Sequence, residues 1–247
     1  MSTPDTQPGA YDRRSDTSPF FAGGLVLTAG GGTCSLGPRV KVNGRYMAVI
    51  SGHCGAGPYS SGAGKSLGSR FTTSWPGNAR LYGDWQLLTG ATYSHKVFTG
   101  GPTGSSANLP GDGLNLGVRP VGAWVCTSGT ITGQFCRQRV TRTFVTLTYD
   151  GVTVGYLTEM RYDDDTTWNP NDCRQTGKDL PNSSLPKGIS RKGDSGGAAY
   201  HATGSGTVVY DGWFNAQSTY RAGSQWRCLY YFGQPNGIAA HNASITW

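Results

Sequence analysis

The chain has 247 residues, 39 of them Gly, with 14% charged residues and a formal net charge of +7 from 21 Lys plus Arg against 14 Asp plus Glu. That length holds one large β domain or two small ones without help from a metal or partner, and the Gly-rich mixture of Thr, Ser, Val and Tyr favours short strands over helices. The basic residues are scattered from Arg13 to Arg227 with no dense run, which argues against a nucleic-acid partner, and no apolar run is long enough to cross a membrane.

Residues 1–18 are polar and Pro-rich and predict a disordered lead-in, with the ordered part starting at Phe20 and Phe21. Val40, Val42, Tyr46, Ala48 and Ile50 flank Asn43-Gly44, a dipeptide suited to the positive φ angles of a two-residue hairpin turn. That hairpin delivers Ser51, Gly52 and His53 at its far end. Asp84 then opens the run Asp84-Trp85-Gln86-Leu87-Leu88, which predicts a carboxylate at a strand edge facing inward. Thr99 to Gly117 is dominated by Gly, Pro, Ser and Asn and predicts an exposed connection, with a boundary near residue 115 between units 19–115 and 116–247. A second hairpin is written by Phe144–Tyr149, Asp150-Gly151 and Val152–Leu157, a further bend by Asp211-Gly212, and a short C-terminal helix by Pro235-Asn236 running through Ile238, Ala239 and Ala240.

Six cysteines without any CxxC pair predict three disulfides rather than a zinc or redox site. Sequential pairing, one of fifteen connectivities, gives Cys34–Cys54, Cys126–Cys136 and Cys173–Cys228, and such bonds imply an oxidising compartment. Met1–Ser18 holds no apolar signal-peptide core, so an export signal and a pro-region are expected to belong to a precursor longer than this chain. No cofactor or metal is expected, and a monomer is the default.

The densest chemical signal is Gly193-Asp194-Ser195-Gly196-Gly197. A nucleophilic serine needs little bulk around it and a backbone able to aim N–H groups at a developing oxyanion. Its hydroxyl also needs a base. Of the four histidines, His95, His201 and His241 lie in polar stretches and read as surface residues, whereas His53 follows an apolar strand and adjoins Cys54. The imidazole in turn needs an acceptor that fixes its tautomer, for which Asp84 is the candidate and the cluster Asp163-Asp164-Asp165 is not.

Taken together, Ser51-Gly52-His53-Cys54, Asp84-Trp85-Gln86-Leu87 and Gly193-Asp194-Ser195-Gly196-Gly197 resemble the chymotrypsin family in their His, Asp, Ser order. The Cys34 spacing and the Cys126–Cys136 loop are similar to its bacterial branch of streptogrisins and α-lytic protease. The resemblance implies an all-β fold of two antiparallel six-stranded β-barrels with the active site between them, and a secreted, extracellular serine endopeptidase acting on protein or peptide substrates. In that reading His53, Asp84 and Ser195 are catalytic and the N–H groups of Gly193 and Ser195 form the oxyanion hole.

Two departures accompany the resemblance. The bacterial branch neutralises the aspartate before the nucleophile with an arginine just after the first cysteine of the second-barrel loop, where this chain has Thr127. Arg137, Arg139 and Arg142 are the nearest candidates in sequence to replace it. Around the specificity pocket, Arg191 stands where a Cys is usual. Ile189 takes the pocket base beside Ser190 and Lys192, and Asn215-Ala216-Gln217 most resembles the pocket wall. The competing readings are a protease-like binding protein with an impaired site, and an esterase-type acyl hydrolase on the same fold.

Overall fold

The computed structural model describes residues 12–103, 107–162, 192–222, 225–241 and 245–247. Strands dominate and form two hydrogen-bonded sheets. The eight-stranded sheet takes its strands from the first half of the chain, completed by Ile245–Thr246 beside Arg39–Val42. The nine-stranded sheet is built mainly from the second half, with Phe20–Ala22, Tyr93–Phe98 and Asn108–Leu114 at one side.

Both hairpins form at the dipeptides that predict them. Arg39–Val42 pairs with Arg45–Ile50 across Asn43 (φ 50°) and Gly44 (φ 78°), with Val42 opposite Arg45. Gly133–Tyr149 pairs with Val152–Tyr162 across Asp150 (φ 49°) and Gly151 (φ 74°), with Tyr149 opposite Val152. Positive φ at both turn residues matches the right-handed twist of the flanking strands. The second hairpin is a long arm whose inward residues Val145, Leu147 and Tyr149 join Trp75, Ala79, Val154 and Leu157 in one cluster. Gly155 lets the arm approach the first half closely, since a Cβ there would stand 2.4 Å from the Arg80 carbonyl oxygen.

Each sheet encloses its own apolar cluster, one around Val26, Ile50, Tyr59 and Leu88, the other around Val125, Val140, Met160, Phe214 and Phe232. A third cluster joins them, packing Trp213, Ile238 and Ile245 against Val40, Met47, Trp85 and Leu87. Full burial of each large apolar side chain stabilises by about 1.5–3 kcal/mol, so this shared cluster fixes one half against the other.

Several expectations are corrected. Residues 12–18 are not a loose lead-in: Arg13 and Asp16 are buried, and the Arg13 carbonyl accepts from Leu25 N at 2.8 Å. Asn108–Leu114, expected as bare connection, forms a strand that pairs antiparallel with Tyr93–Phe98 and parallel with Val208–Ala222. Gly and Pro deny it a large buried face, but its backbone groups still pair, and Leu109 and Leu114 pack against a core. Asp211-Gly212 is no turn but lies inside Val208–Ala222, where the strand runs on through both residues. The helix Pro235–His241 forms as expected, and a four-residue helix, Ala79–Tyr82, is signalled by no apolar stripe. Cys34–Cys54 and Cys126–Cys136 are bonded. Cys228 is also disulfide-bonded, and its expected partner Cys173 lies outside the described residues.

Candidate active site

His53 sits in a single helical turn, Gly52–Cys54, directly after the strand Arg45–Ile50. Ile50 pairs with Gln86 in the antiparallel ladder, so the two residues after Ile50 and the two before Gln86 bring Gly52 and Asp84 together. A Cβ on Gly52 would lie 2.4 Å from Trp75 Cβ and 2.8 Å from Asp84 Oδ1, which is why the turn needs glycine there. The Cys34–Cys54 bond ties the same turn to the strand Thr33–Ser35.

The imidazole and carboxylate meet as the sequence predicts. His53 Nδ1 is 2.5 Å from Asp84 Oδ2, and the His53 backbone N–H donates to Oδ1 at 3.0 Å. Asp84 is fully buried and accepts two further bonds on Oδ2, from Tyr149 Oη at 2.6 Å and from Asn215 Nδ2 at 3.0 Å. Burial alone would raise its pKa, but the charge and hydrogen bond of His53, then the bonds from Tyr149 and Asn215, hold it below the ordinary carboxylate value. Burial works to lower the His53 pKa, and the Asp84 carboxylate, by charge and hydrogen bond, carries it above 6.5. The arrangement leaves Nδ1–H committed to Asp84 and Nε2 as the basic nitrogen.

Ser195 reaches this pair through backbone contacts. The Phe214 carbonyl accepts from Ser51 Oγ at 2.9 Å and from Gly196 N at 2.7 Å, so the turn before His53 and the turn after Ser195 share one acceptor. Ser35 N donates to Ser195 O at 2.8 Å and Ser35 Oγ to Gly193 O at 2.8 Å. Gly193 has φ 108°, and a Cβ there would meet Ile131 Cγ1 at 2.7 Å. Ser195 is half-buried, and its hydroxyl forms no hydrogen bond to the His53 ring among the described contacts.

Asp194 is buried behind this loop. Its Oδ1 accepts from Ile131 N at 2.8 Å and Thr132 N at 3.1 Å, and its Oδ2 from Thr132 Oγ1 at 2.8 Å. The cations named from sequence lie elsewhere: Arg142 pairs with Glu159, Arg139 lies 4.6 Å over the Trp124 ring, and Arg137 lines a cavity with Arg119, Trp124 and His201. Among the described residues, the buried cation on the Asp194 side is Arg13. Its Nη1 contacts Ser128 Oγ at 2.7 Å, Gly129 O at 3.0 Å and Gly23 O at 3.1 Å, and Gly129 presses so closely on Asp194 that a Cβ would sit 2.2 Å from Oδ1. Burial draws the Arg13 pKa down to about 10, and the Asp194 carboxylate is the foremost group opposing that fall.

The pocket residues expected from sequence separate. Ile189 and Ser190 lie outside the described residues, and Lys192 is exposed. Ala216 and Gln217 are half-buried on the strand Val208–Ala222. Asn215 is not a free wall residue, because its amide is turned onto Asp84, with Nδ2 also 2.7 Å from Asp84 O and 3.2 Å from Ser51 Oγ. Of the other histidines, none fully exposed, His201 bonds Asp211 through Nδ1 at 2.8 Å and His241 stands edge-on to Tyr82 and Trp85. Arg13, Trp75 and Tyr149 are site neighbours that sequence reasoning does not single out. Only Tyr149 carries a signal, as the last residue before a turn, and nothing in the sequence says where that turn lands.

No protein-family model matches the chain. A segment of 61 residues is 44% identical to streptogrisin-A of Streptomyces griseus, covering 25% of this chain and 19% of that protein, so the match spans about a fifth of its relative's length. The fold is shared with Nocardiopsis protease (TM-score 0.61, 21% identity, 92% of this chain and 97% of that one). It is shared equally with Thermobifida fusca protease A (0.62, 20%, 92% and 97%) and Cellulomonas bogoriensis chymotrypsin (0.60, 22%, 92% and 96%). The architecture is therefore the chymotrypsin-like two-part β fold, shared with these bacterial proteases, and a quarter of the chain is similar in sequence to streptogrisin-A.

Proposed function

We propose that the protein is a serine endopeptidase that hydrolyses peptide bonds through an acyl-enzyme. The observation that carries this reading is the His53–Asp84 pair at 2.5 Å, joined through the Phe214 carbonyl to the turn that bears Ser195. Ser195 Oγ attacks the scissile carbonyl carbon while His53 Nε2 takes its proton, and Asp84 holds the imidazole and stabilises the imidazolium without itself becoming protonated. The tetrahedral intermediate then expels the amine, which receives that proton from His53. Water, activated by the same imidazole, releases the acid and restores Ser195.

The Gly193 and Ser195 N–H groups are the candidate oxyanion donors. Support comes from Gly193 φ 108° and from the bonds that clamp this loop to Ser35 on both sides of Asp194. Preorganised donors of this kind are worth about 10²–10³ in turnover each. The two closed disulfides favour an oxidising, extracellular setting, and protein or peptide chains are the substrates.

Labelling with phenylmethylsulfonyl fluoride, read by intact mass and peptide mapping, tests the proposal. One adduct on Ser195, absent from Ser195→Ala, together with cleavage of a denatured protein substrate, is the expected result. Folded protein that takes up no adduct and cuts nothing would overturn it.

A further inference from the structure

The long arm ends inside the site. Tyr149, the last residue of Gly133–Tyr149, reaches across from the second half and donates to Asp84 Oδ2 at 2.6 Å. Its ring stands edge-on to the His53 imidazole, centroids 5.6 Å apart at 85°, and stacks on Trp75 at 5.8 Å and 20°. Trp75 is itself edge-on to His53 at 5.8 Å. Asp84 Oδ2 thus serves three donors at once, His53 Nδ1, Tyr149 Oη and Asn215 Nδ2.

We propose that Tyr149 is a positioning residue of the triad, which shares the Asp84 carboxylate with His53 and thereby sets the basicity of the imidazole. This rests on the protease reading for its consequence, but the chemistry it invokes is a property of the folded site alone. A carboxylate oxygen that accepts a second strong bond carries less negative charge toward the first donor. With the Tyr149 hydroxyl removed, Oδ2 turns more of its charge on His53, and the imidazolium is favoured. Burial first, then the Asp84 charge, raises the phenol pKa far above the ordinary value, so Tyr149 stays a neutral donor throughout the working range. Among the described residues, the charged groups that act on His53 are Asp84 and, from the arm's turn, Asp150, both acidic. Each raises the His53 pKa, and the Tyr149 bond moderates the nearer one. The Trp75 contact holds the ring in line, so the arm must be docked on the first half for the bond to exist.

The test is the titration of His53 followed by NMR of the imidazole carbons in full-length protein, a measurement that needs no turnover. In Tyr149→Phe, which keeps the ring and removes the hydroxyl, the His53 pKa is expected to rise by about half a unit or more, and the acid limb of kcat/KM to move up with it while KM changes less than kcat. Site-specific 3-fluorotyrosine at position 149, a stronger donor of the same shape, is expected to shift the titration the opposite way, and this variant keeps the question open to measurement where Tyr149→Phe fails to fold. An unmoved titration in a folded variant of either kind would overturn the proposal. A shifted titration in a protein whose Ser195 takes no inhibitor would leave it standing and count against the protease reading instead.

Discussion

Arg13 Nη1 lies 2.7 Å from Ser128 Oγ, and Ser128 Oγ in turn donates to the Phe98 carbonyl at 2.6 Å. A guanidinium from the start of the described chain is therefore wired into the interior of the second half, against the strand end that holds Gly129 next to Asp194.

Replacing Arg13 by Met removes a buried charge that interacts favourably with the Asp194 carboxylate and takes the donor from Gly23 O, Ser128 Oγ and Gly129 O. A buried acceptor left unsatisfied costs about 1–3 kcal/mol, and loss of an ordered oxyanion loop lowers Ser195 reactivity by about 10²–10³. Arg13→Lys is expected to recover little, because an ammonium cannot span Gly23 O, Ser128 Oγ, Gly129 O and Thr99 O as the planar fork does. The rate of phosphonylation at Ser195, alongside thermal melting, measures both effects.

Asp16 provides a pH signature on stability. Burial lifts its pKa to about 7, against the lowering effect of bonds from Phe21 N at 2.8 Å and Thr17 N at 2.9 Å. The folded state thus binds a proton that the unfolded state has released. Stability from this group is complete below pH ~4 and is lost as pH rises toward about 7. Denaturant melts at intervals across that window should show a falling contribution of about 1–4 kcal/mol, which Asp16→Asn flattens. Equal slopes in the two proteins would refute it.

Activity should depend on pH in the other sense. In the proposed reaction His53 serves as base only when neutral, and its pKa is raised above 6.5 by Asp84, so kcat/KM is expected to fall as pH drops through a value higher than 6.5. Asp84→Asn removes the charge that raises it, moves that limb down, and reduces kcat by about 10⁴ through the wrong tautomer.

The two described disulfides separate stability from function. Cys34–Cys54 and Cys126–Cys136 join residues 20 and 10 apart in sequence, and because loop entropy grows only logarithmically with length each is worth about 3 kcal/mol in the chain-entropy view. Only the first anchors the turn that carries His53. Paired Ala variants should lose comparable stability in urea, while the Cys34/Cys54 variant alone loses Ser195 labelling in the folded fraction.

Much of this is legible in the chain because it is local. Asn43-Gly44 and Asp150-Gly151 encode their turns, and the run from Ile50 to His53 and from Asp84 to Gln86 encodes the register that makes the pair. What escapes is what the register cannot reach. Arg13 is one charge in a polar stretch, and its burial is decided by acceptors on Gly23 and, more than a hundred residues further on, on Ser128 and Gly129. Asn215 reads as pocket wall because its backbone neighbours resemble one, while its amide direction depends on the space beside Asp84. Asn108–Leu114 reads as connection because composition reports side chains, and a strand held by main-chain pairing on both edges needs few of them.

Ile245–Thr246 closes the edge of the first-half sheet beside Arg39–Val42, and Ile245 sits in the same cluster as Trp85 and Trp213. During synthesis the residues around His53 and Asp84 are made early, yet the sheet that carries them waits for a strand made some two hundred residues later. A nascent chain cannot complete the sheet around His53 and Asp84 before Ser195 has already emerged. Pairings so distant in sequence also slow folding, so the His53–Asp84 pair is expected to reach its final geometry late and all at once, when Ile245–Thr246 takes its place.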